Sequence, residues 1–173
     1  MERSDDKEDP QPTPMIPEAE ISEILGLVEI LIDKGGREDI YKLAHELQME
    51  LGETLKVIRS AEILKLVHTP GGDVVVEKLG EKISEASISE RKELICEEIE
   101  KIPVFERITH FLKNKEDHEA DRELLLEELA KLIPNENVEE TFSSIVHWGR
   151  YAELFGYNDD SQTFYLDLEE ETL

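Results

Sequence analysis

Three observations predict that this 173-residue chain folds as a mainly α protein with small β-hairpins, an α+β fold. Apolar residues recur at the three- and four-residue spacing of a buried helical stripe through most of the chain. Two pairs of short β-branched or aromatic runs flank turn-forming clusters, the pattern of hairpins. The order helix, helix, helix, hairpin occurs twice.

Residues 1–17 hold four prolines, five acidic residues and little to bury, so they read as a disordered, acidic lead-in. Residues 18–34 carry Ile21, Ile24, Leu25, Val28 and Leu31 on one helical stripe, ended by Gly35-Gly36, since glycine adopts the left-handed C-terminal conformation without steric cost. A shorter helix over residues 38–47 presents Ile40, Leu43, Ala44 and Leu47. A third, over residues 51–64, is expected to bury Leu51, Leu55, Ile58 and Ala61. Leu66-Val67-His68-Thr69, the turn Pro70-Gly71-Gly72-Asp73 and Val74-Val75-Val76 make the first hairpin, after which Leu79-Gly80 opens another helical stretch.

The second half repeats this order. Residues 88–102 form a linking helix with Leu94, Ile95, Ile99 and Ile102 as its stripe, interrupted by Pro103. Residues 104–112 are helical, 114–120 are a charged loop, and 121–133 form a helix stopped by Pro134-Asn135. Residues 138–154 form the next helix, capped by Asn137. Residues 155–168 form a second hairpin around Asn158-Asp159-Asp160-Ser161, with Phe164, Leu166 and Leu168 alternating against polar neighbours. The reading is two tandem winged-helix-like units, residues 18–87 and 103–173, joined by a helix at 88–102; the second carries an acidic C-terminal tail.

Charge limits the partners. Nineteen basic residues against 43 acidic ones give a net charge of −24. A protein of that balance is repelled by nucleic acid and anionic membranes unless it concentrates its cations locally. Winged units nevertheless raise an alternative, a DNA-binding transcriptional regulator acting through residues 51–66. There Lys56, Arg59 and Lys65 stand against Glu53 and Glu62, a net of +1. In the second unit, Glu139 and Glu140 occupy the place where a major-groove helix presents base-contacting residues, which opposes the idea. No apolar run approaches the ~20 residues needed to span a bilayer, and Met1-Glu2-Arg3-Ser4-Asp5-Asp6 is not a secretory leader, so the expectation is a cytoplasmic protein without membrane insertion.

Catalytic apparatus is not legible. The five histidines, His45, His68, His110, His118 and His147, form no His-x-x-x-His or His-Glu-x-x-His pair, so no metal is expected. Cys96, the single cysteine, is flanked by Glu97 and Glu98, which raise a thiol's pKa and make it unreactive. Gly35-Gly36 and Gly71-Gly72 are turns rather than phosphate loops. The chain reads as a non-enzyme with no cofactor.

Four strings occur in order: Glu20-Ile21-Ser22-Glu23-Ile24-Leu25-Gly26-Leu27, Gly35-Gly36-Arg37-Glu38-Asp39-Ile40-Tyr41, Glu90-Arg91-Lys92-Glu93-Leu94, and Trp148-Gly149-Arg150-Tyr151-Ala152-Glu153-Leu154-Phe155-Gly156-Tyr157. Together they resemble the AAA-associated C-terminal domain over residues 17–166, the last string being the most specific. That domain is typically fused behind the ATP-binding subunit of nitrate/sulfonate/bicarbonate-type ABC transporters. Because no Gly-x-x-x-x-Gly-Lys-Ser/Thr loop occurs and the chain starts at its own Met1, the sequence reads as a free-standing version. The resemblance implies a regulatory or docking role near a transporter ATP-binding subunit, without ATP hydrolysis by this chain.

The interaction candidates, all within these strings, are Arg37, Asp39, Arg91, Arg150, Tyr151 and Tyr157. The three arginines are cations in acidic surroundings, suited to holding the halves together or meeting a partner. Trp148, Tyr151 and Phe155 read as packing between the last helix and its hairpin. Finally, Ile88, Ile95 and Ile102 fall seven apart on the linking helix, a stripe from which a weak homodimer is expected.

Overall fold

The computed structural model describes residues 16–132 and 138–167. Within them lie helices α1 (Ile21–Asp33), α2 (Ile40–Leu47), α3 (Leu51–Ile63), α4 (Lys78–Glu85), α5 (Ile88–Glu100), α6 (Pro103–Lys113), α7 (Arg122–Leu132) and α8 (Val138–Tyr151). The strands are β1 (Arg37–Asp39), β2 (Val67–His68), β3 (Asp73–Val76), β4 (Glu119–Asp121), β5 (Gly156–Asn158) and β6 (Thr163–Tyr165). Two antiparallel three-stranded sheets have the orders β1-β3-β2 and β4-β6-β5. The molecule is therefore mainly helical with small sheets, and the order helix, strand, helix, helix, strand, strand occurs twice.

The repeat extends to single backbone groups. Val76 N–H donates to Gly36 O at 2.9 Å, and Leu166 N–H to His118 O at 3.1 Å. Ile40 N–H donates to Gly72 O at 3.1 Å, and Arg122 N–H to Gln162 O at 2.9 Å. The accepting residues are left-handed in both units: Gly36 and Gly72 have φ of 92° and 91°, His118 and Gln162 of 55° and 52°. The cores correspond as well, with Ile24, Leu27 and Leu31 of α1 matched by the buried Phe105, Ile108 and Leu112 of α6.

Each sheet has a strand the hairpin pattern does not reveal. β1 is Arg-Glu-Asp and β4 is Glu-Ala-Asp, compositions of low strand preference, yet the left-handed residue before each turns the chain so that it pairs along β3 or β6. Residues 114–120 are thus not wholly loop, and the second helix starts at Ile40 rather than residue 38. The buried face of α3 is also rotated from the expected one. It consists of Thr54, Val57, Ile58, Ser60, Ala61 and Ile63, while Leu51 and Leu55 are 39% and 42% exposed.

Residues 1–15 and 168–173 of the expected lead-in and tail, and Asn137 as a cap, lie outside the described residues. Ile16 and Pro17 do not behave as a disordered lead-in, because both are buried, Ile16 being only 5% exposed. Just beyond them, Glu18 N–H and Ala19 N–H both donate to the Ser60 hydroxyl of α3, at 3.1 and 3.0 Å. That hydroxyl donates in turn to Lys56 O at 2.9 Å.

Helix α5 is the spine. Ser87 and Glu90 cap it reciprocally, a device that satisfies two orphan N–H groups. It packs against α4, α6 and α8. Ile95, Ile99 and Ile102 are buried in these contacts, while Ile88 is 85% exposed. The stripe from which self-association was expected is therefore covered by its own chain, leaving Ile88 alone outside.

Candidate interaction site

Three of the six interaction candidates converge on one groove, of about 560 Å³, between α8 and the β5 hairpin. Phe142, Val146 and Tyr151 give it apolar walls, and Ser143, His147, Arg150, Tyr157 and Asp159 complete it. The Arg150 guanidinium donates to the Tyr157 carbonyl, lies 3.5 Å from an Asp159 carboxylate oxygen and sits 5.8 Å from the Tyr157 ring centre. Arg150 thus ties the end of α8 to the outgoing strand. Tyr157 is buried, its ring edge-on to Phe142 at 5.2 Å and tilted against Phe164 at 4.7 Å.

Tyr151 is half-buried, edge-on to Trp148 at 5.5 Å, with the Lys92 ammonium 5.6 Å from its ring centre. Burial first, and then the neighbouring Cys96 thiol, push its hydroxyl pKa up, with Arg91 opposing. At the groove edge, His147 stands 3.7 Å from the carboxylate of Glu20, the residue preceding α1, so the two units meet there.

Two glycines in the Trp148-to-Tyr157 string make this arrangement possible. A Cβ at Gly149 would fall 2.0 Å from the Phe155 ring, and one at Gly156 2.2 Å from the Tyr165 ring. Gly149 of α8 seats the Phe155 ring, which brings the hairpin close to that helix, and Gly156 seats the ring of its cross-strand partner Tyr165. Trp148 and Phe155 are buried as expected, at 1% and 4% exposure.

The remaining candidates lie elsewhere and make internal contacts. Arg37 pairs with Asp73 across β1 and β3 at 2.8 Å. The Asp39 carboxylate caps α2, accepting from Tyr41 N–H at 2.9 Å and Lys42 N–H at 3.2 Å. Arg91 donates to the Ile83 carbonyl at 3.3 Å and so fastens α5 to α4. Of the alternative DNA contacts, Lys56 and Arg59 are exposed on α3, while Lys65 lies 3.8 Å from Glu98 of α5.

Cys96 is partly buried, its thiol 3.9 Å from the Tyr151 carbonyl. Its pKa is raised, but chiefly by burial, with Glu153 and Glu100 contributing and Lys92 opposing; the sequence neighbours are not the cause. Among the described residues, no group of three or more His, Cys, Asp or Glu is placed to hold a metal ion. No described helix is long and apolar enough to cross a membrane.

Phe142, His147 and Asp159 were not foreseen as site residues. Only the fold brings them together, since Phe142 and His147 are a turn or more apart on α8 and Asp159 comes from the hairpin turn.

Fold and groove together define a class: a helical protein of two like units, with an aromatic-walled cleft beside the second sheet. Residues 41–158 match the family model described as the C-terminal AAA-associated domain. The chain belongs to that family. Comparison with curated proteins and with solved structures gives no match.

Proposed function

We propose that this chain is a non-enzymatic regulatory module that binds the ATP-binding subunit of an ABC transporter. The observation that carries the reading is the family match, which runs through both units and the helix between them. The α8–β5 groove supports it as the contact surface. It is open, walled by aromatic side chains and bordered by Arg150, the residue types that anchor protein interfaces.

The test is capture of a purified ABC ATP-binding subunit by the tagged chain, with its ATP hydrolysis rate measured alongside. Binding and a changed rate are expected for the unaltered chain, with both diminished in Tyr151→Ala and Arg150→Glu. Absence of binding across a panel of such subunits refutes the proposal. The DNA-binding alternative remains secondary, because Lys56 and Arg59 share their face of α3 with exposed leucines rather than further cations.

A further inference from the structure

The outer face of α3 is amphipathic in a way its burial does not require. At about 100° per residue, Leu51, Leu55, Arg59, Gly52 and Lys56 occupy one continuous arc of roughly 140°, which Glu62 enters at its last turn. Leu51 and Leu55 are 39% and 42% exposed. Among the described residues, neither Lys56 nor Arg59 has an ion pair, although the chain carries 43 acidic residues. The nearby Glu62 is engaged by the Thr69 hydroxyl. Two leucines one turn apart beside two free cations fit a surface that is itself apolar and acidic.

The same chain carries such a surface. A groove of about 420 Å³ between α4 and α5 is lined by Leu94 and Ala86, by the carboxylates of Glu85, Glu90, Glu93 and Glu97, and by one cation, Lys82, so that acid predominates. Glu93 and Glu97 are exposed, and neither has an ion pair among the described residues. The two surfaces belong to neighbouring elements, since the Lys65–Glu98 pair at 3.8 Å joins the end of α3 to α5.

We propose that the α3 face is an interface for a second copy of this chain. The leucines of one copy seat on Leu94 and Ala86 of the other, and Lys56 and Arg59 meet Glu93 and Glu97. A two-fold pair exchanges this contact twice, as a closed dimer requires. The contact is distinct from the α8–β5 groove, so it neither needs nor blocks the ATPase contact proposed above.

Sedimentation equilibrium at physiological ionic strength tests this. A reversible dimer is expected for the unaltered chain. Both Leu55→Glu and the pair Lys56→Glu/Arg59→Glu should weaken it about tenfold or more by placing like charges in contact. The pair Glu93→Lys/Glu97→Lys should do the same. An equimolar mixture of the two charge-reversed chains should restore the dimer, because both exchanged contacts then join opposite charges. All substituted positions are exposed, and circular dichroism verifies folding. A monomer at every concentration, a dimer indifferent to these changes, or failure of the mixture to recover overturns the proposal, leaving the face to another protein.

Discussion

Substituting alanine for glycine should have opposite consequences at two helical positions. In an α-helix the change is favourable by up to about 1 kcal/mol, because alanine loses less backbone freedom on folding. Gly26, within α1, has nothing within 4 Å of where a Cβ would be, so Gly26→Ala should collect most of that gain. At Gly149 the Cβ would lie 2.0, 2.3 and 2.6 Å from three atoms of the Phe155 ring. Ordinary carbon contacts are about 3.5–4.0 Å, so the ring must retreat by roughly 1.5 Å.

It has little room to do so. Phe155 is 4% exposed, stacked on Phe105 at 6.4 Å and edge-on to Phe164 at 5.6 Å. Overpacking a filled core costs about 1–3 kcal/mol, and this clash belongs near the upper end. Net of the helical gain, Gly149→Ala should destabilise by about 2 kcal/mol. For a chain of this size that lowers the melting temperature by about 4–8 °C. Urea unfolding followed by circular dichroism measures both variants. Placing Gly149→Ala in a Phe155→Leu background should reduce its cost by about 1 kcal/mol, the signature of a direct contact. If Gly149→Ala proves as stable as the unaltered chain, or the two changes are additive, the aromatic seat does not exist as described.

Other outcomes follow from the same contacts. Asp39→Ala removes the acceptor for two N–H groups of α2 and should cost about 1 kcal/mol in urea unfolding, with Asp39→Ser recovering most of it. Gln162→Gly should stabilise by about 0.5–1 kcal/mol, because Gln162 holds φ of 52° where its counterpart Gly72 holds 91° at no steric cost. Lys131 first and then Arg107 hold the Glu128 carboxyl below its ordinary value of 4.5. Lys34 does the same for Glu46. A depressed folded pKa gives stability that is present above 4.5 and lost as pH falls through the folded value, so the urea midpoint should decline on acidification below that point, less steeply at high salt.

The helices were legible because their apolar spacing is set by the same core that buries them. The strands β1 and β4 were not, since Arg-Glu-Asp and Glu-Ala-Asp carry no signal of their own and extend only because β3 and β6 offer them an edge. The face of α3 was misread for a related reason. A leucine counts as core in any pattern, and here the chain buries Thr54 and Ser60 instead, satisfying both through backbone carbonyls one turn earlier. The groove was partly visible: Arg150, Tyr151 and Tyr157 stand in one short string. Phe142 enters only through the packing of helix on hairpin. Arg37, Asp39 and Arg91 lie away from the groove and make contacts within the chain.

The fastening at Ser60 has a mechanical consequence. One buried hydroxyl receives Glu18 and Ala19, and Ile16 and Pro17 are packed just upstream. Tension arriving from the N-terminal side therefore reaches the last turn of α3 before it reaches α1. A tether attached there pulls against a latch of two hydrogen bonds and a few buried side chains, and α1 bears load only once that latch has opened. Load from upstream is therefore resisted first by residues 16–19 and Ser60.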